Sequence, residues 1–281
     1  MPRARLVAIA AAAAVISACG GGGGGPEGFA TLPVSPTTEQ LAAAVVDSSA
    51  PCFNEADFRE GTLLEFDAAK PGANSATASF HRKTVTESRE AFAGANPVAF
   101  NVASETVSSP HFQQSTVKKE YKDFANGNIL LYGKSATHKQ TADPKIATSL
   151  PAGFASEQVS VVSQTYEPPF SFPVDMKAGQ VVKQQTSVSK KEVFNGREGT
   201  TTSLQANAEL TYIGREKLET AVGTFDTCKL LLKITIGGSV LTKEFANEFW
   251  VAAEGPYRGQ FLKGLDPKAP MVVTKMTYSP K

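Results

Sequence analysis

The stretch Leu204-Gln205-Ala206-Asn207-Ala208-Glu209-Leu210-Thr211-Tyr212 alternates apolar and polar residues without a break. Side chains along a strand point to opposite faces in turn, so this stretch reads as a half-buried strand with one face on a core. The pattern repeats downstream. Cys228, Leu230, Leu232, Ile234 and Ile236 share one face of the next run, opposite Lys229, Lys233 and Thr235. Leu241, Phe245, Phe249 and Val251 form a third inward face opposite Thr242, Glu244 and Glu248, with Trp250 on the polar side.

Upstream the same rhythm is weaker but continuous. Candidate strands run over Thr62–Phe66, Ala76–Glu87, Val98–Val107, Gln114–Tyr121, Ile129–Ala136, Val159–Tyr166 and Val181–Phe194, and Met271–Tyr278 closes the chain. Ala125-Asn126-Gly127-Asn128 and Asn195-Gly196 punctuate them as turn sequences do. About a dozen strands with one-sided alternation predict a mainly β chain built on a large antiparallel sheet. A sheet of that size must curl, close or split. The expectation is a large curved sheet or half-open barrel with a short N-terminal helix.

The helix is expected near the start. Thr37 can cap it, Gln40 completes a capping-box pattern, and Leu41, Ala44 and Val45 form an apolar stripe that Ser48-Ser49-Ala50-Pro51 ends. Residues 37–281 read as a single β-rich domain. Pro168, Pro169, Pro173 and Gly179 make 167–179 the candidate lid or linker within it.

The front end carries an address. Arg3 and Arg5 precede an apolar run from Leu6 to Ile16, and Val15-Ile16-Ser17-Ala18 leads into Cys19. That is the layout of a secretory signal over residues 1–18. The run is too short to span a bilayer, which takes about 20 apolar residues. Its end resembles a bacterial lipobox. The resemblance implies cleavage before Cys19, a diacylglyceryl group on its thiol and an acylated amino group. Two or more acyl chains give stable anchoring. Gly20, with no aspartate in that place, favours the outer membrane, with the domain facing the periplasm. Gly20 to Gly25 with Pro26, Gly28, Pro33 and Pro36 make residues 19–36 a lipidated tether, reaching about 20–25 Å as a flexible chain.

A formal net charge of +1 points to no nucleic-acid partner. The small basic clusters Lys118-Lys119 with Lys122, and Lys190-Lys191, read as solvated strand faces or strand ends. With Cys19 lipidated, Cys52 and Cys228 remain. In an oxidising compartment they are a candidate disulfide; two buried reduced thiols are the other reading. No Cys-x-x-Cys is present.

The C-terminal part carries a further resemblance. Ile213-Gly214-Arg215-Glu216 leads to Ala221-Val222-Gly223-Thr224-Phe225-Asp226-Thr227-Cys228-Lys229, then Glu248-Phe249-Trp250-Val251-Ala252, Gly255 and Arg258. This resembles a family of uncharacterised bacterial envelope lipoprotein domains. These are similar in shape to the half-open β-barrel of the lipoprotein carrier and outer-membrane receptor of the Lol pathway. The motifs are structural: Gly223 permits a tight hairpin, Phe225 buries under it, and Trp250 closes an edge or mouth. Glu254-Gly255-Pro256-Tyr257 departs from the family pattern. The resemblance implies a fold and names no ligand.

Catalytic patterns do not emerge. His81, His111 and His138 have no metal-ligand spacing and read as surface strand residues. No Gly-x-Ser-x-Gly elbow is present. Glu65/Asp67 and Glu216/Glu219 are spaced carboxylates of the kind that arise by chance. No catalytic residue, metal ligand or cofactor is expected. The function expected is a lipid-anchored, non-enzymatic binding or scaffold module that holds an apolar ligand or an envelope protein partner. An envelope hydrolase whose site assembles only in three dimensions is the alternative.

Overall fold

A computed structural model describes residues 47–71, 79–109, 112–143, 145, 157–237, 242–264 and 270–281. The signal, Cys19, the tether, the helix expected from Thr37 to Val45, His111 and Leu241 lie outside the described residues.

Thirteen strands make up one sheet: β1 (Leu63–Ala69), β2 (Ser79–Arg89), β3 (Val98–Ser109), β4 (Phe112–Ala125), β5 (Asn128–Ala142), β6 (Glu157–Pro173), β7 (Val181–Phe194), β8 (Arg197–Glu198), β9 (Thr202–Thr220), β10 (Gly223–Gly237), β11 (Thr242–Ala252), β12 (Phe261–Gly264) and β13 (Met271–Ser279). Neighbours are antiparallel throughout. Strand β1 pairs with both β2 and β13, which brings the C-terminus beside the first strand. Strand β7 pairs with β9 along Val181↔Thr211 to Lys190↔Thr202 and with β6 along Ser160↔Phe194 to Glu167↔Ser187. That second pairing closes the ring. The barrel has twelve strands, with β8 outside it on β7. The expectation of a half-open barrel is therefore corrected. Closure satisfies edge backbone groups that a half-open sheet leaves exposed.

The candidate lid resolves into wall and turn. Glu167–Pro173 is the last part of β6, and residues 174–180 connect β6 to β7. Prolines are tolerated there because the ladder shifts. Leu131 pairs with Phe170 and Gly133 pairs with Thr165, so residues 166–169 bulge out of the β5 register. Gly133 sits at φ 149°, and a Cβ on it would fall 2.1 Å from the Gln164 carbonyl oxygen and 2.8 Å from the Phe92 ring. Phe92 stacks on Tyr121 at 3.7 Å between ring centres, directly over this glycine. Only glycine fits, and the bulge turns a barrel corner.

The outer wall is charged. Glu209 bridges Lys183 and Lys233, Lys229 pairs with Glu248, Lys119 pairs with Glu87 and Glu90, and Lys139 pairs with Glu157. Exposed pairs of this kind contribute about 0–1 kcal/mol each. A lipid-facing barrel instead needs an apolar outer band about 25 Å tall. This wall is built to face water.

Ring size sets what lies inside. About eight strands enclose an interior that side chains just fill, and the diameter grows with strand number. Twelve strands enclose a wider interior than eight.

Candidate functional site

One end of the barrel is stoppered by the chain's own N-terminal segment. Two 3-10 turns, Ala50–Cys52 and Glu55–Phe58, make up this segment. Pro51 suits the first turn of the one, and the Asn54 side chain caps the other by accepting from the Ala56 N–H at 3.1 Å. The segment touches connections from around the rim. Ser49 N–H donates to the Met176 carbonyl and Ser49 Oγ to that of Val174. Arg258 donates to the carbonyls of Pro51 and Phe53, and Thr86 Oγ1 to that of Asp57. Phe58 packs edge-on against Phe100, and Phe53 lies 4.4 Å from the Phe124 ring.

A disulfide locks this stopper. Cys52 is bonded to Cys228, with Cα atoms 6.1 Å apart and a sequence separation of 176. Cys228 is fully buried on the inward face of β10, where the alternation placed it. Below it, Asp57 accepts from Tyr278 Oη at 2.6 Å and Gln260 Nε2 at 2.8 Å. Burial raises the Asp57 carboxyl above its ordinary value, against the pull of those two bonds and of Lys122.

Under the stopper lies a cavity of about 470 Å³, within the range of small-ligand sites. Its walls are mostly apolar: Phe66 from β1, Leu131 from β5, Phe172 from β6, Leu210 from β9, Leu232 from β10 and Phe249 from β11 all reach it. The inward faces read from sequence on β9, β10 and β11 therefore do line the interior.

The opposite wall is charged. Arg82 of β2 and Lys122 of β4 border the same cavity. Glu120 sits beside them, 2.9 Å from Lys122 Nζ, 3.8 Å from the Arg82 guanidinium and in direct contact with Lys118. Burial works to raise its carboxyl, but Lys122, Lys118 and Arg82 overcome it and hold the group well below the ordinary value. Burial pushes the Lys118 ammonium down to about 8, against the attraction of Glu120. Burial also lowers Lys134 of β5, with Lys190 adding to it and Glu120 opposing. Farther along, Lys190 pairs with Glu192 at 2.7 Å, and His138 meets Thr116 Oγ1 at 2.9 Å. Burial, then Lys134 and Lys118, holds His138 below its ordinary value, which favours the neutral ring.

This wall corrects three readings. Lys118 and Lys122 are not solvated strand faces: they turn into the barrel. Lys190 is a third exposed near the end of β7, and Lys119 and Lys191 pair with carboxylates of the outer surface. His138 is an interior residue, while His81 stays outside, 2.7 Å from Asp67 and 3.8 Å from Glu65. Trp250 closes neither edge nor mouth. It lies on the outer wall, covered by Lys229 and Lys263, and its indole N–H donates to Glu216. Gly223 makes the tight β9–β10 turn, and Phe225 is buried against it. Among the described residues no group of three or more histidines, cysteines or carboxylates is arranged to hold a metal.

No protein-family model matches the chain, and no curated protein matches it. Among solved structures it is similar to the hypothetical lipoprotein YmcC from Escherichia coli (K12), at 12% identity and a TM-score of 0.28, over 88% of this chain and 99% of that one.

Proposed function

We propose that this protein is a lipid-anchored envelope module, not an enzyme, that holds an apolar ligand inside its barrel. The cavity of about 470 Å³ carries the reading: strong inward alternation on β9–β11 produces a wall of Leu210, Leu232 and Phe249 that the chain's own side chains leave unfilled. Burial of each ligand methylene there contributes about 0.8 kcal/mol, or roughly fourfold in affinity. The charged outer wall supports a domain standing in water at the membrane surface. The lipobox-like stretch ending at Cys19 supports the anchor and an outer-membrane, periplasm-facing site.

The binding test uses the mature chain carrying Cys19→Ser, exported behind a general secretory signal. Displacement of N-phenyl-1-naphthylamine by 1-octanol, 1-decanol and 1-dodecanol is expected to be saturable and to strengthen by roughly fourfold per methylene. Leu232→Trp, which takes up part of the cavity, is expected to weaken it. The absence of saturable displacement would overturn the binding reading. For the anchor, Cys19→Ala is expected to move the protein to the soluble periplasmic fraction, and continued membrane attachment would overturn that part.

A further inference from the structure

The interior is two-sided along its length. The strands β9, β10 and β11 present aliphatic and aromatic side chains to it, while its cations come from β2, β4, β5 and β7, of which β5 and β7 also turn Leu131 and Val188 inward. Opposite charges inside the barrel do not balance. Arg82, Lys118 and Lys122 gather around the single carboxylate of Glu120. Lys134 has no ion-pair partner among the described residues; Glu120 is the carboxylate whose field it feels, and Lys190 repels it. Lys190 is itself paired with Glu192. Asp57 is the remaining carboxylate near this set, and Tyr278 and Gln260 occupy it. Among the described residues five cations thus face three carboxylates; with the partly exposed Lys190–Glu192 pair set aside, the more buried set is still in excess of positive charge, where burial makes charge costly.

Position matters as much as sign. Lys122 sits where the two walls meet, its ammonium 4.2 Å from the centre of the Phe100 ring, and with Arg82 it borders the apolar cavity directly. From Lys122 to Lys118 the strand runs on by about 13 Å, at 3.2–3.4 Å per residue. A ligand that filled only the apolar side would leave these cations without a counter-charge. A free anion would leave the apolar walls unfilled.

We infer that the barrel binds an anionic amphiphile, with an alkyl or acyl chain in the cavity under the stopper and a phosphate- or carboxylate-type head against Arg82, Lys122 and Lys118. This rests on the apolar-ligand reading above and adds the class of head group. Arginine and lysine together suit such a head: the guanidinium offers a two-pronged donor and the ammonium a movable point charge.

The test is a comparison at constant chain length, on the full mature chain carrying Cys19→Ser. Dodecyl phosphate is expected to displace N-phenyl-1-naphthylamine at least about tenfold more tightly than 1-dodecanol at pH 7, the increment of one good charge-assisted contact. Arg82→Met and Lys122→Met are each expected to shrink that gap to about threefold or less, read as the ratio of the two affinities within one variant, with 1-dodecanol still displacing the probe. The alcohol thus reports on the fold of each variant, and the wild-type comparison needs no variant at all. Equal affinity for the two ligands would overturn the head-group assignment and leave the apolar reading standing. Failure of both to bind would overturn both. Displacement of dodecyl phosphate by inorganic phosphate at comparable concentration would show a free-anion site and overturn the amphiphile.

Discussion

Removing the disulfide with Cys52→Ala/Cys228→Ala tests how the stopper is held. The bridge closes a loop of 176 residues, which takes in β1 to β9. In the chain-entropy treatment a loop of that length restricts the unfolded chain by about 5 kcal/mol. The native barrel does not depend on the bridge for its ladders, since the β6–β7 pairing closes the ring. Most of the loss should therefore appear as a more disordered unfolded state rather than a broken native one. Side-chain packing partly survives with alanine, so the expected destabilisation is about 3–5 kcal/mol. With a urea slope of about 3 kcal/mol/M, the midpoint falls by roughly 1–1.7 M. Urea unfolding followed by tryptophan fluorescence reads it, because Trp250 sits on β11 beside the bridge strand. Reduction of the wild-type bridge should give a matching shift. A loss below about 1 kcal/mol with an unchanged slope would refute the reasoning, showing that the segment 48–62 and its rim contacts constrain the chain without the bridge.

Lys118→Met is expected to stabilise the unliganded protein at pH 7 by about 1–3 kcal/mol, since burial holds this amine near pH 8 in the fold and about 10.5 in the unfolded chain. The sign follows from proton counting: between those values the unfolded chain binds more protons, so wild-type stability rises with pH there while the variant's does not. Thermal melts at pH 7 and pH 10 check it, and a variant less stable than wild type at pH 7 would refute it. Gly133→Val is expected to destabilise by more than about 3 kcal/mol or to prevent folding, because its branched side chain would meet the Gln164 carbonyl and the Phe92 ring at a backbone angle valine rarely adopts. Normal expression and an unchanged melting temperature would contradict that corner geometry.

The alternation in Leu204–Tyr212, Cys228–Ile236 and Phe245–Val251 is a local, period-two signal. By itself it determined these strands, which side faced in, and that Cys228 lay on the apolar side. The expectation of export and a lipid anchor also rests on a local stretch, Arg3 to Cys19. The same rule misled on β4, where both faces are polar: Thr116, Lys118, Glu120 and Lys122 on one side, Val117, Lys119, Tyr121 and Asp123 on the other. Nothing in that stretch says which set turns inward. Its neighbours decide, through the pairing of Phe100 with Glu120 and the bulge at Gly133. Beyond that bulge the inward positions of β5 change from Ile129 and Leu131 to Lys134 and His138, so a uniform period misplaces them. Closure was equally out of reach. Residues 160–167 and 187–194 meet only because twelve strands accumulate enough twist and stagger to return β7 to β6. Ring size then leaves an interior wider than its side chains. The cavity, and the cations along one wall of it, are properties of that long-range closure.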